Sequence, residues 1–150
     1  MSFGEILGRF YCSMDRYERH YAASKFLRGK GIKRVLDVGG RGAIIKRFLS
    51  ADITTINIDG SGDVEYDGKR MPFEDLSFPA VISLDTLEHV SEGMRQEFIK
   101  ECLRVSSECV LISVPLGSKA HILKEKELSQ RYTEVYGCEH TYLADHVEKG

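Results

Sequence analysis

One segment of the chain combines an acid with a cluster of glycines in a spacing that suits ligand binding. A short apolar run at 35–38, which contains Asp37, leads into Gly39, Gly40 and Gly42, and apolar residues at helical spacing follow. Glycines between a strand and a helix let a ligand approach both the backbone and the helix N-terminus. The segment therefore predicts a site for a nucleotide-like ligand. The alternative is a tight turn whose glycines serve its geometry alone.

A second acid supports the ligand-binding interpretation and, together with Asp37, limits the class of ligand. Asp59 follows Asp37 by 22 residues, after a β-branched run, close to the ~20-residue spacing at which an acid binds a ribose. Asp37 stands two residues before Gly39, and the G-x-G-x-x-G pattern of dinucleotide sites is absent. A carboxylate at that point disfavours a phosphate and suits a cation. S-adenosylmethionine is such a ligand, with a sulfonium and an amino-acid end in place of phosphates.

The elements that must position these residues alternate between strands and helices. Apolar or β-branched runs predict strands at 35–38, 53–59, 64–67, 80–84 and 109–114, and helical patterns fall at 14–30, after the glycine turn and after Ser91. Alternating strands and helices form right-handed crossovers, so we predict an α/β fold with a doubly wound, mostly parallel sheet and helices on both faces. The site should lie at the carboxyl ends of the strands.

Apolar stripes predict which helix faces pack on this sheet. In the first helix Met14, Tyr17 and Tyr21 recur at spacings of three and four residues. The alternative is that the aromatic and basic residues of this helix, Arg19 among them, form a lid over the ligand. In the helix after Ser91 the stripe consists of Met94, Phe98, Ile99, Cys102 and Leu103.

Composition indicates one globular domain over 1–150 and excludes several functions. The chain is 42% hydrophobic and 29% charged with a formal net charge of −2, so no basic field is available to bind nucleic acid. No signal peptide or apolar run of about 18 residues is evident, so we expect no membrane partner. The four cysteines form no C-x-x-C pair, which fits the reducing cytoplasm. We expect no metal centre, because Cys138, His140 and His146 lack a second ligand pair.

Four stretches in order resemble the class I S-adenosylmethionine-dependent methyltransferases, most closely the small-molecule type 11 group. They are VLDVG with its following glycines from 35, Ile58-Asp59, Asp67 followed by MPF at 71–73, and AVISLDTLEHV at 80–90. The resemblance covers residues 33–116. It departs where Arg41 and Ala43 stand at positions that the family fills with glycine. It also departs in the short connection from Asp59 to Asp67, which leaves no room for the helix that commonly separates the second and third strands.

The resemblance implies a role for each matched residue at the methionine end of the cofactor. Asp37 and the backbone around Gly39 would hold the methionine amine, and the backbone of Leu84 and Asp85 would close that side of the pocket. Asp85 could instead simply cap its loop. The Glu-His pair at 88–89 recurs in the family with many acceptors, which favours a role in shaping the pocket, so we assign no catalytic residue.

The nucleoside end of the cofactor would be held by the two later acids. Asp59 would accept hydrogen bonds from both ribose hydroxyls, and Asp67 would accept one from the adenine amino group, with Gly68 nearby. In an Asp-Gly pair Asp67 could equally be an ordinary turn acid. The implied cofactor-binding residues are Asp37, Gly39, Gly40, Gly42, Asp59, Gly60, Asp67, Gly68, Leu84 and Asp85.

The resemblance implies a methyltransferase that acts on an O, N or C nucleophile of a small molecule. Two alternatives stay open: a non-catalytic cofactor-binding module or lobe of a larger protein, and a nucleotide-sugar or dinucleotide enzyme on the same sheet. After residue 116 the pattern indicates a helical tail at 118–150, where the family continues with antiparallel strands. We therefore expect a C-terminally truncated domain that transfers methyl groups poorly by itself. The open edge of its fifth strand would take a second copy, or the segment 119–136, as cover.

Overall fold

The protein forms one parallel sheet with helices on both faces. The structure is a computed structural model, and it describes residues 14–115 and 118–138. The strands are β1 (Arg34–Val38), β2 (Asp52–Asn57), β3 (Val64–Glu65), β4 (Phe78–Leu84) and β5 (Ser106–Ser113), and the helices are α1 (Met14–Gly29), α2 (Glu92–Val105) and α3 (Lys119–Tyr136). The strand order is β3-β2-β1-β4-β5, and every pairing is parallel. The predicted α/β fold class is confirmed.

Successive residues of the central strand β1 enter two separate cores. Val35 packs in one core with Leu27 of α1, while Leu36 packs in the other with Phe98 of α2. Side chains alternate between the two faces of a strand, so a strand covered on both faces has to be apolar throughout. This explains the continuous apolar runs in β1 and β4. It also makes Asp37, the one acid inside β1, an unusual residue in its place.

Helix α1 packs on the sheet with a different face from the predicted one. Its buried positions are His20, Ala23, Ser24 and Leu27, whereas Tyr21 is 46% exposed. His20 and Ser24 make hydrogen bonds of 2.7 and 2.8 Å to carbonyl groups of the preceding turn. Polar residues can therefore lie in this interface, because their hydrogen bonds are satisfied within the helix. A stripe chosen on hydrophobicity alone misses such a face.

Helix α2 begins after Ser91, as predicted, but buries only part of its predicted stripe. Phe98 and Cys102 are buried together with Val105, whereas Met94 is 36% and Leu103 57% exposed. The buried positions recur at intervals of four and three residues, which selects one face of the helix. Leu103 is rotated away from that face.

The predicted helix after the glycine turn forms as short 3₁₀ turns at Arg41–Arg47, interrupted by a kink at Gly42 and Ala43. Gly42 and Ala43 have φ angles of +71° and +47°, outside the right-handed helical region. Two successive positive angles interrupt the backbone hydrogen bonding that an α-helix needs. Ile45 is nevertheless fully buried in the core beneath α1, so the apolar spacing predicted its burial correctly.

The connection between β2 and β3 contains no helix and is held by the side chain of Asp63. Asp63 accepts hydrogen bonds of 2.8 and 2.9 Å from the backbone N–H and the hydroxyl of Thr55. The backbone N–H of Thr55 in β2, which precedes the first residue of β2 that pairs with β3, thereby has an acceptor. The strand itself ends at Asn57, two residues before the predicted end at Asp59. The short connection noted in the sequence is thus closed by its own side chains.

No strand follows β5 in the part of the chain that the structure describes. Helix α3 forms where it was predicted and ends at Gly137, whose φ is +69°. Several of its apolar side chains are exposed, Leu123 at 67%, Leu128 at 53% and Val135 at 71%, so these residues of the segment predicted to cover β5 are not buried against it. Residues 139–150 of the predicted helical tail lie outside the described ranges. Among the helices of the described residues, none has the length and hydropathy that crossing a bilayer requires.

Candidate cofactor-binding site

The predicted site residues come together at the carboxyl ends of three neighbouring strands. Strand β1 lies between β2 and β4, so the loops that follow these strands share one edge of the sheet. The N–H of Gly39 donates to the carbonyl of Ile56 at 2.9 Å, and the N–H of Asp85 donates to the carbonyl of Ser113 at 2.9 Å. These bonds extend the sheet hydrogen bonding into the loops. The loop backbone is therefore held in place before any ligand binds.

Asp37 supplies the buried acid of the site. It lies opposite Thr55 of β2 and Ile82 of β4 in the strand register, and it is only 2% exposed. Burial raises the pKa of its carboxyl to about 7, against a smaller lowering by the positive charge of Lys46. The charged form is disfavoured in this environment. A cation placed beside Asp37 would reverse that balance, so the position favours a cationic ligand.

Gly39 and Gly40 are required by the close packing of the site itself. A side chain on Gly39, whose φ is +83°, would overlap Thr86, and one on Gly40 would overlap the carboxylate of Asp37. Thr86 is a site residue that the sequence reasoning missed. Its hydroxyl lies 3.3 Å from the carbonyl of Val38, at the end of β1. The only sequence signal for Thr86 is its place directly after Asp85.

Gly42 differs from the other two glycines of the turn. Its φ is +71°, and a side chain there would meet nothing within 4 Å. Gly42 is thus needed for backbone conformation, while the space beside it is open. The neighbouring Ala43 adopts a similar angle without being glycine, a conformation that costs energy and is concentrated at functional sites.

Asp59 lies just beyond the end of β2, and its own chain already binds both of its oxygens. One oxygen accepts from the backbone N–H and the hydroxyl of Ser61, at 3.1 and 2.6 Å. The other forms an ion pair with the guanidinium of Arg41. The Ser61 hydroxyl, followed by Arg41, holds the pKa of Asp59 well below its usual range. The adjacent Gly60 has a φ of +72°, which shapes the turn.

Asp67 and Gly68 form a turn beside an exposed apolar residue. One oxygen of Asp67 accepts hydrogen bonds from the N–H groups of residues 69 and 70, at 2.9 and 3.4 Å. The first of these bonds is the main reason that the pKa of Asp67 is lowered. Both the ordinary turn role and an outward-facing acceptor are compatible with this geometry. A side chain on Gly68 would contact Ile58 at 3.6 Å.

Ile58 is the second site residue that the reasoning from spacing left without a role. It is 66% exposed, although it directly precedes Asp59 at the end of a buried strand. An exposed isoleucine between Asp59 and Gly68 provides an apolar surface on which a flat base can lie. In the sequence, the only indication of this role is that the apolar Ile58 directly precedes Asp59.

The end of β4 connects the site to helix α1. Leu84 is the last residue of β4, and Asp85 follows with a φ of +56°. Arg19 of α1 forms an ion pair of 2.9 Å with Asp85, and both side chains are less than one-third exposed. Helix α1 therefore reaches the methionine side of the predicted pocket. The packing and lid interpretations of this helix are both consistent with that contact.

The segment at 87–89 is a short 3₁₀ turn whose backbone is held by a side chain of α2. Arg95 donates hydrogen bonds to the carbonyl groups of Val90 and Glu88, at 3.0 and 3.4 Å. The turn is thereby fixed next to the end of β4, which agrees with a shaping role for the Glu-His pair. Within 14–115 and 118–138 no group of three or more His, Cys, Asp or Glu side chains could hold a metal ion.

Comparison with known proteins relates this arrangement to one family and one fold. Residues 36–108 match the family described as "Methyltransferase domain". A candidate sarcosine dimethylglycine methyltransferase from Galdieria sulphuraria aligns with a TM-score of 0.56 and 19% identity, over 75% of this chain and 54% of its own. A protein from Pyrococcus horikoshii aligns with a TM-score of 0.56 and 19% identity, over 81% and 64%. An S-adenosylmethionine-dependent methyltransferase from Archaeoglobus fulgidus aligns with a TM-score of 0.52 and 20% identity, over 70% and 57%.

These likenesses are structural and cover part of each relative. At identities of 19–20% they show a shared fold. The chain spans less than two-thirds of the length of each of these three proteins. Among curated proteins, none matches the chain in sequence.

Proposed function

We propose that this chain, whose residues 36–108 match the methyltransferase domain family, binds S-adenosylmethionine and transfers the methyl group to an O, N or C nucleophile of a small molecule. The observation that carries the proposal is the buried carboxyl of Asp37 on the central strand. Its charged form needs a cation beside it, and phosphate-bearing nucleotides would place an anion there. A nucleoside whose remaining part is cationic fits this position.

The other residues of the edge fit the remaining parts of the same ligand. Asp59 has the geometry to accept hydrogen bonds from a ribose once its present partners give way. Ile58 offers an apolar surface for adenine, and Asp67 lies in the next turn as an acceptor for the amino group. At the opposite end, Arg19 and Asp85 offer a charge of each sign to the amino-acid part of the cofactor. The contacts that join these loops support one continuous site.

The chemistry requires mainly correct placement of the two reactants. When bound, the cofactor supplies a methyl group on a sulfonium, which transfers by in-line attack of a nucleophile. The nucleophile's lone pair forms the new bond to carbon, the bonding pair of the broken C–S bond stays on sulfur, and the nucleophile's proton goes to water. The part of the chain described here contributes binding and orientation. We assign no catalytic residue.

Partners and location are part of the same proposal. The acceptor would be a small molecule, because a net charge of −2 offers no field for nucleic acid. The location would be cytoplasmic. The outer edge of β5 would be covered by a second copy or another chain, since α3 leaves its own apolar residues exposed. We also propose that the chain by itself transfers methyl groups slowly, because no strand after β5 in the described residues walls an acceptor pocket.

A non-catalytic cofactor-binding module is the second candidate. The ion pair between Arg41 and Asp59 favours this candidate. Arg41 stands where the resembled family has glycine, and its side chain contacts the carboxylate that would accept the ribose hydroxyls. A module of this kind would bind S-adenosylmethionine and S-adenosylhomocysteine without turnover. The two candidates differ in activity and agree in the ligand.

Calorimetric titration with S-adenosylmethionine, S-adenosylhomocysteine and NAD tests the ligand directly. We expect the first two to bind and NAD not to bind. Asp59→Ala should weaken S-adenosylhomocysteine binding roughly 10- to 150-fold, because hydrogen bonds to a charged acceptor are lost. Asp52→Ala, an exposed acid at the opposite end of β2, is the matched control and should bind like the parent. Binding of NAD alone, or equal affinities for the two variants, would overturn the proposal.

A further inference from the structure

The glycine turn carries an arginine that lies in the proposed ribose site. The Arg41 guanidinium pairs with one oxygen of Asp59, and Ser61 binds the other oxygen from within the same turn. Each oxygen of the carboxylate proposed to bind the ribose therefore already has a partner within the protein. The arrangement joins two residues 18 positions apart, across the ends of β1 and β2. It rests on the proposed function, since it concerns access of the cofactor to Asp59.

The two groups of contacts on Asp59 differ in how easily a ligand can replace them. The Ser61 contacts are local and restrain the turn that presents the acid. The Arg41 side chain comes from a separate loop, and the side chains of the pair are 65% and 40% exposed. An exposed ion pair competes with water and salt, and it typically shifts an equilibrium by less than about fivefold. Arg41 can therefore be displaced, at a small and measurable expense in affinity.

We propose that Arg41 sets the affinity of the site by competing with the cofactor ribose for the carboxylate of Asp59. In the ligand-free protein the guanidinium occupies the acceptor. Binding exchanges this ion pair for hydrogen bonds from the ribose hydroxyls, and the guanidinium turns out to solvent. No covalent step is involved, and the site residues keep their roles.

This competition has a salt signature that a structural role for Arg41 lacks. Salt screens an exposed ion pair, so added salt weakens the internal competitor. S-adenosylhomocysteine is a zwitterion without net charge and is a suitable probe, because its own attraction to the protein changes little with salt. Its affinity for the parent protein should therefore rise about two- to threefold between roughly 20 mM and 500 mM sodium chloride. The direction is opposite to that of a ligand held by charge attraction.

The test is titration of S-adenosylhomocysteine into the parent and three variants at both salt concentrations. Arg41→Gln should bind about two- to fivefold tighter than the parent at low salt and lose the salt dependence. Arg41→Lys keeps the charge and should retain part of both effects. Arg47→Gln removes the same charge from the exposed far end of the same 3₁₀ segment, and it should behave like the parent.

The outcomes separate this inference from the proposed function. If the parent binds and Arg41→Gln binds equally or more weakly, the competition is refuted while the proposed ligand stands. If Arg41→Gln binds where the parent does not, the competition is supported in its strongest form. If neither protein binds S-adenosylhomocysteine or S-adenosylmethionine, the proposed function fails and this inference fails with it.

Discussion

At the scale of single residues, Asp37 is the group whose chemistry differs most from that of an ordinary surface acid. It is buried in the central strand with a pKa near 7, whereas its ordinary value is 3.8. Between these two values the folded protein holds a proton that the unfolded chain has released. The free energy of unfolding must therefore decrease as pH rises through this interval. Protonation of the Asp37 carboxyl therefore affects the stability of the fold, and we propose that it also affects ligand binding.

We expect Asp37 to lower the stability of the ligand-free protein between pH 5 and pH 8, while the buried His20, whose pKa is lowered by burial, contributes separately in the opposite direction. A shift of one pKa unit corresponds to about 1.4 kcal/mol, so the loss should be about 3 kcal/mol over this range. Asp37→Asn should remove most of the difference, while Asp52→Asn, the exposed control, should retain it. Urea unfolding at pH 5, 6, 7 and 8 measures the three proteins. Parallel pH profiles for the parent and Asp37→Asn would show that Asp37 ionises normally.

The same carboxyl should make cofactor binding depend on pH. A cation beside Asp37 requires the carboxylate form, so binding has to release the proton below pH 7. The affinity for S-adenosylmethionine should fall by up to about tenfold for each pH unit below 7. Titrations in two buffers of different ionisation enthalpy would show proton release directly. Affinity that is constant from pH 5.5 to 7.5 would place the cationic end of the ligand elsewhere.

At the scale of elements, the loop after β3 is held by side chains of α2. Arg104 donates to the carbonyl groups of Phe73 and Met71, at 2.8 and 3.0 Å, and pairs with Glu101 at 2.7 Å. Glu101 in turn accepts the N–H of Met71 at 2.9 Å. The Arg104 and Glu101 side chains are only 16% and 15% exposed. This network fixes the start of the segment that follows Asp67, so it supports from outside the part of the site that we propose binds adenine.

Removing Arg104 should destabilise the fold far more than removing an exposed arginine. Arg104→Met removes the positive charge that pairs with the largely buried Glu101 and one donor from each of the Phe73 and Met71 carbonyl groups, and we expect a loss of about 2 to 4 kcal/mol. Arg131→Met breaks an exposed pair with Glu127 in α3 and should change the stability by less than about 0.5 kcal/mol. Denaturant unfolding at pH 7 compares the two. Equal effects would mean that the Arg104 network contributes no more than a surface pair.

At the scale of the whole molecule, stability is concentrated in the sheet and its two packed helices. Leu27 of α1 is fully buried against the sheet, whereas Leu128 of α3 is 53% exposed. Leucine therefore occupies two different environments in this protein, a buried one in α1 and an exposed one in α3. Since α1 also carries Arg19, which pairs with Asp85, its docking links overall stability to the part of the site that we propose binds the methionine end of the cofactor.

Leu27→Ala should cost about 3 to 5 kcal/mol, because it removes buried methyl groups and leaves a cavity. Leu128→Ala should cost less than about 0.5 kcal/mol, as expected for a surface position. Thermal or chemical unfolding of both variants measures the contrast. A large effect of Leu128→Ala, especially one that depends on protein concentration, would instead show that α3 packs against a partner copy in solution.

The sequence by itself determined the fold class and most element positions, and it predicted the acids of the proposed site. Runs such as 35–38 and 80–84 must be apolar because both faces of a central parallel strand are covered, and that requirement is visible without coordinates. The glycine cluster and the position of Asp59 likewise followed from local spacing. Which other side chains meet these residues could not be predicted in this way. Arg41 reaches Asp59, Thr86 faces Gly39, and Arg19 reaches Asp85 only because the strand order brings separate loops to one edge. The tertiary structure also decided the 3₁₀ segment and the buried face of α1. Positive φ angles at Gly42 and Ala43 cannot be recognised from hydrophobic spacing, and neither can polar residues such as His20 and Ser24, which are buried because their hydrogen bonds are satisfied within the helix.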